Sequence, residues 1–197
     1  AAGAAADGAG ADAKPAPKPA GGTTSAAAVK KPGMTETKKP VRKIIIGRRG
    51  FGAAGDNSNT QYAVLGLRAC MAVGIFPPPD CLPLTEKWYT DAQNDNGGWE
   101  YGRKGTKSYG SMTAGGISSM GVCLRGSPKP RDPRTDTRMQ KAIKWMEENL
   151  DYGRNPPRDK KDEWHYYWIY GVERAGAIAE TEWFGDKPWY SEGAGWL

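Results

Sequence analysis

"QNDNGGWEYG", residues 93–102, decides how this chain folds. It follows the amphipathic run "LTEKWYTDA" (84–92) and packs a glutamine, two glycines and a tryptophan into ten positions. It has two readings: a local helix stop, or a clamp repeated around a larger ring. A stop needs only one glycine, because a single residue in the left-handed region after the last turn is enough. Gln93 and Trp99 are more than a stop requires.

The flanking sequence is helical from Asp56 on. "DNSNTQYAVLGLRACMAVG" (56–74) opens with Asn and Ser capping residues, closes on Gly74, and carries apolar residues on nearly every face. A helix of that pattern is expected to be buried on all sides. The next run, about Asp80 to Gln93, places Leu84, Trp88 and Ala92 on one face and Glu86, Lys87 and Asp91 elsewhere. The pair then recurs. "SMTAGGISSMGVCLRG" (111–126) is small and apolar, with Ser111 and Gly126 as its expected caps; "TDTRMQKAIKWMEENL" (135–150) repeats Met139, Ala142, Ile143, Met146 and Leu150 at spacings of three and four. A third pair is "WHYYWIYGVERAGAIAE" (164–180) and "KPWYSEGAGWL" (187–197).

The first members start near Thr60, Met112 and Trp164, and the second members align on Trp88, Trp145 and Trp189. Repetition at about fifty residues points to stacked supersecondary units that bury their faces against one another. No long β alternation appears from Asp56 to Leu197, so the expected fold class is all-α. Three helical hairpins are expected, with Thr60–Val73, Met112–Arg125 and Trp164–Thr181 as the inner helices.

An apolar inner helix, an amphipathic outer helix and then Gln-x-x-x-Gly-x-Trp resembles the α/α-toroid superfamily. Its members include squalene–hopene and other terpenoid cyclases and protein prenyltransferase β subunits. Gln93, Gly97 and Trp99 fall on the cyclases' "QW" motif, and the three first helices resemble those of bacterial proteins bearing prenyltransferase and squalene-oxidase repeats. The resemblance implies a partial toroid over residues 56–197. In it Gly97 and Gly98 reverse the chain with φ values other residues avoid. The Gln93 amide satisfies free backbone groups at a neighbouring helix end, and Trp99 covers that end. Only the first repeat keeps the motif; the second has "NLDYGRNPP" (149–157).

The same resemblance sets expectations about chemistry. A cyclase of this kind needs an Asp-x-Asp-Asp acid, which the sequence lacks; Asp132 and Asp136 read instead as a helix cap and a solvated charge. A prenyltransferase needs zinc on Asp, Cys and His. The single histidine, His165, lacks the Asp-x-Cys partner and is expected to be hydrogen-bonded at a helix start. No catalytic residue, metal or cofactor is therefore assigned. The inner helices are expected to wall a central cavity with Tyr62, Met112, His165, Tyr166 and Tyr170, suited to an apolar ligand. A non-catalytic binding or assembly module is the favoured reading. The alternative is a fragment of an isoprenoid-processing enzyme whose catalytic residues lie elsewhere.

Composition frames these expectations. The 197 residues have a formal net charge of +6, 38% hydrophobic residues, 27 Gly and 15 Pro. Residues 1–50 hold ten Lys or Arg against Asp7, Asp12 and Glu36, a net +7, so the rest is close to neutral. The Ala/Pro/Lys-rich stretch 1–43 is expected to be a disordered basic tail. "IIIGRRGFGAAG" (44–55) reads as a connecting or docking segment. A basic tail can bind nucleic acid, but this one lacks interleaved aromatics, so such a partner is not expected. The expected partner is a protein or further repeats of the same chain. Six helices are fewer than a toroid closes with, and the last inner helix is expected to leave Trp168, Ile169 and Val172 without a neighbour. The best apolar run is broken by Arg68, so no membrane span is expected. The small residues "AAGAAA" at the front would suit a processed, extracytoplasmic bacterial protein. Cys70, Cys81 and Cys123 are odd in number and without metal-ligand spacing.

Overall fold

A computed structural model describes residues 56–157 and 164–197. The expectations for 1–43 and 44–55 lie outside the described residues. Those described are mostly helical: α1 (Asn57–Ala72), α2 (Cys81–Ala92), α3 (Gly110–Gly126), α4 (Thr137–Asn149), α5 (His165–Ala179) and α6 (Trp189–Trp196). A short 3-10 turn, Pro133–Thr135, precedes α4. A single two-stranded antiparallel ribbon, β1 (Trp183–Phe184) and β2 (Lys187–Pro188), precedes α6. Trp183 lies opposite Pro188 and Phe184 opposite Lys187, with Gly185 at a φ of 65° in the turn. The Gly-Asp pair at 185–186 is a recognised hairpin signal that the helical reading passed over. The fold class is all-α.

Helices one, three and five start at Asn57, Gly110 and His165, intervals of 53 and 55 residues. Their environments differ. Every residue of α3 from Gly110 to Leu124 is buried, and α1, α2, α4 and α5 all pack against it. Small residues make this possible. A Cβ on Gly116 would sit 2.3 Å from the Trp99 ring, and one on Gly121 would sit 2.6 Å from Ile178. The main core cluster gathers Tyr89, Trp99, Ile117, Met120, Leu124, Met146, Trp168 and Phe184 around this helix.

Four expectations are corrected. First, α1 is not buried all round: only Asn57, Gln61 and Val64 are, and Tyr62 is 52% exposed. Among the described residues it packs chiefly on α3, with contacts to α2 through Asn57 and to α5 through Gln61 and Tyr62. Second, Leu84 is exposed; α2 buries Leu82, Tyr89 and Ala92 instead. Third, Trp168, Ile169 and Val172 are buried, not left without a neighbour. They join the main core cluster, where Phe184 of β1, Tyr152 and Trp189 also pack, and Trp168 Nε1 donates to the Asp151 carbonyl at 2.8 Å. Fourth, Trp189 begins α6, whereas Trp88 and Trp145 lie in the second halves of α2 and α4, so the three are not equivalent.

Capping explains most boundaries. The Asp56 side chain accepts from the amides of Ser58 at 2.8 Å and Asn59 at 3.2 Å, and Gly74 with a φ of 82° follows the end of α1. Asp136 accepts from Arg138 N at 2.9 Å and Met139 N at 3.1 Å to start α4, and Asp132 caps the 3-10 turn while pairing with Arg134. Ser111 is not the cap of α3. That helix begins from Tyr109, which makes no side-chain capping bond, and its first amides are satisfied from a distance. Gly110 N donates to the Pro156 carbonyl at 2.6 Å and Ser111 N to Asn155 Oδ1 at 2.8 Å. Asn155 Nδ2 returns a bond to Ser111 Oγ at 2.9 Å. The 149–157 segment thus holds the end of the buried helix.

Candidate functional site

The "QNDNGGWEYG" loop is a structural joint that aims other residues. Trp99 is fully buried and its indole N–H donates 2.8 Å to the Tyr89 carbonyl, one of the last four carbonyls of α2 that the helix leaves free. Gly97 has a φ of 91°, and a Cβ there would lie 2.4 Å from the Lys141 carbonyl oxygen of α4. Gly98 has no such φ; a Cβ on it would meet the Ser108 side chain at 2.5 Å, so close approach is its role. The Gln93 amide donates 2.8 Å to the Gly97 carbonyl and 3.0 Å to the Arg138 carbonyl in the first turn of α4. The unsatisfied groups at that end of α4 are N–H groups, which Asp136 takes; the glutamine ties the turn to a carbonyl instead.

After this joint the chain runs past the start of α1. Asn57 holds it there: its backbone N–H donates to the Tyr101 carbonyl at 2.9 Å, and its Nδ2 to those of Glu100 at 2.7 Å and Gly102 at 2.8 Å. Trp88 Nε1 donates 2.8 Å to Asn57 Oδ1, which fixes the amide orientation. Tyr101 is thereby set beside α1, and its hydroxyl donates to Asp56 Oδ2 at 2.6 Å.

An open cleft of about 450 Å³ results where the N-terminal ends of α1, α3 and α5 converge. It is lined by Ser58 and Tyr62 of α1, Tyr101, Tyr109 with Ser111 and Met112 at the head of α3, and Trp164 and Tyr167 at the head of α5. Trp164 precedes α5 in the left-handed region, at φ 60° and ψ 28°, and is 66% exposed. The Tyr167 hydroxyl donates 2.6 Å to Gln61 Oε1, bridging α5 to α1 across the top of α3. Tyr62 lies 5.8 Å from the Tyr167 ring and stacks on Tyr170 at 6.3 Å with 13° between planes.

The electrostatics are one-sided. Burial pulls the Asp56 carboxyl up, but hydrogen bonds from Tyr101, Ser58 and Asn59 outweigh it and hold the group below the ordinary aspartate value of 3.8. Tyr101 is pushed up by its bond to Asp56, and Tyr167 is pushed up by burial, then by neighbouring phenols and Asp56. Both phenols stay protonated at neutral pH, while Asp56 stays ionised. Among the described residues, no lysine or arginine lines the cleft.

The five residues expected to wall a cavity are thus dispersed. Tyr62 and Met112 line the cleft, and Tyr170 stacks at its margin. Tyr166 is 75% exposed and lines no part of it. His165 is buried, with its ring 4.1 Å from Trp196, and its Nε2 has no hydrogen-bond partner among the described residues, contrary to the expected helix-start bond. Among the described residues, the Gln61–Tyr167 bond and the Tyr62–Tyr170 stack link α1 to α5. Reading helix faces alone missed Tyr101, Tyr109, Trp164 and Tyr167. Tyr101 lies within the opening stretch itself, and the other three sit at helix starts, where capping convention looks for polar residues. Among the described residues no three His, Cys, Asp or Glu side chains cluster to hold a metal, and no helix is long and apolar enough to cross a membrane. Set beside family models, curated proteins and solved structures, the chain matches none of them.

Proposed function

We propose that residues 56–197 form a non-catalytic binding module of the α/α-toroid kind, whose site is the aromatic cleft at the helix starts. The observation that carries this reading is the cleft itself: five aromatic rings, from α1, α5, the caps of α3 and α5, and one loop, line about 450 Å³. That volume lies within the roughly 300–1,000 Å³ common for small-molecule sites. Aromatic walls offer large apolar area with little rotamer entropy to lose, which suits the apolar part of a ligand. The recurrence of helix starts at 53 and 55 residues and the QW-like joint support the toroid relationship. Exposed Val73, Ile75 and Phe76 after α1 offer a place for a protein partner or further repeats.

Titration of the full chain with farnesol, followed by tryptophan fluorescence, tests the reading. Saturable binding is expected, and replacing both Tyr62 and Trp164 by Ala is expected to weaken it about tenfold or more, since each aromatic contact contributes of order 0.5–1.5 kcal/mol beyond its area. No binding, or binding indifferent to the double substitution, would overturn the proposal.

A further inference from the structure

We infer that the cleft takes its ligand by an alkylammonium head, a cationic nitrogen bearing methyl or methylene groups, with the apolar remainder lying along the rings. This rests on the binding reading above and names the ligand chemistry within it. The faces of Tyr and Trp rings carry a negative quadrupole that attracts ammonium groups within about 6 Å of the centroid. The cleft presents five such rings: Tyr62, Tyr101, Tyr109, Trp164 and Tyr167.

Its polar groups point the same way. Tyr101 gives its hydroxyl proton to Asp56 Oδ2, Tyr167 gives its own to Gln61 Oε1, and Ser58 Oγ donates to Asp56 Oδ1 at 2.7 Å. Each oxygen is left with lone pairs to offer, which fits a cation or a hydrogen-bond donor and not an anion. Behind Tyr101 and Ser58 stands the ionised Asp56 carboxylate.

Helix N-termini oppose a cation, so their weight has to be considered. A helix end carries only about half a charge, and its effect fades within the first turn. The end of α1 is met by Asp56 itself and the first two amides of α3 are bonded to Pro156 and Asn155, which among the described residues leaves the start of α5, without a side-chain cap, as the one opposing end. Arg174, whose guanidinium lies 5.7 Å from the Tyr170 ring centroid, is paired with Glu173. No charged side chain is among the described residues that line the cleft, and Asp56 stands directly behind two that do, Tyr101 and Ser58.

Calorimetric titration of the full chain with choline, its neutral isostere 3,3-dimethylbutan-1-ol, and Nε-trimethyl-lysine amide tests the inference. Choline is expected to bind about tenfold more tightly than the isostere, the scale of a partly desolvated cation–π contact. Asp56→Asn keeps a capping residue on α1 and is expected to narrow that gap severalfold. Tyr62→Leu, at an exposed position, is expected to weaken choline and spare the isostere. A tighter lysine derivative would assign the ammonium to a protein side chain, and a tighter choline to a free amine or lipid headgroup. Equal affinity for choline and the isostere would overturn the inference, and farnesol binding in the same sample would leave the broader proposal standing. Failure of farnesol and of every cation would remove both.

Discussion

α1 and α3 are helices of nearly equal length, yet α3 is buried from Gly110 to Leu124 while α1 buries three of its 16 residues. Composition accounts for part of the difference, since α1 opens with Asn57, Ser58, Asn59, Thr60 and Gln61, and position accounts for the rest. α3 packs against α1, α2, α4 and α5, whereas α1 packs chiefly on α3, with contacts to α2 through Asn57 and to α5 through Gln61 and Tyr62. A helix in a row is buried according to how many helices flank it, and its own sequence shows only that burial is tolerable. The glycines record the difference: a Cβ on Gly116 of α3 would strike the Trp99 ring, and one on Gly66 of α1 would meet nothing within 4 Å.

The largest expected effect removes what fills the space beside α3. Trp99→Ala deletes a fully buried indole and its bond to Tyr89, and is expected to cost about 3–5 kcal/mol in urea unfolding. A loss below about 1 kcal/mol would mean that the joint does not support the central helix. Next comes the matched glycine pair. Gly116→Ala is expected to destabilise by about 1–3 kcal/mol through overpacking. Gly66→Ala is expected to stabilise by about 0.5–1 kcal/mol by restricting the unfolded chain and improving helix propensity. Equal signs for the two would break the comparison.

Much of this was legible in the sequence. The spacing of apolar residues located the helices, Gly74 marked the end of α1, and the excess residues around Gly97 signalled a joint, but the cap of α1 is Asp56 where Asn and Ser were expected, and Asp136 caps α4. What was not legible depends on contacts across the chain. Asn155 lies 44 positions from Ser111, and nothing in "NLDYGRNPP" announces that it caps another helix. The cleft was misplaced for the same reason. Periodicity shows which residues share a helix face, but the convergence of α1 and α5 is set by a tyrosine–glutamine bond 106 positions apart.

Two smaller effects sharpen the account at the ends of these helices. Asn155→Ala leaves the Ser111 amide buried without its acceptor, and is expected to cost about 1–2 kcal/mol, the range for a lost cap. Asp56 has its folded pKa held down, so its bonds contribute stability above the unfolded value near 3.8. That contribution is lost as pH falls through the lower folded value. Unfolding followed from pH 6 to pH 2 should show this as a slope that Asp56→Asn diminishes; an unchanged slope would detach Asp56 from the start of α1.

Native-state hydrogen exchange on the full chain tests the central claim most directly, because it reads protection helix by helix. A single helix jacketed by its neighbours predicts that amides across Gly115–Leu124 exchange only through global unfolding, while those of α1 beyond Leu65 exchange orders of magnitude faster through local opening. Equal protection of α1 and α3 would contradict it, and would restore a row of equally inner helices.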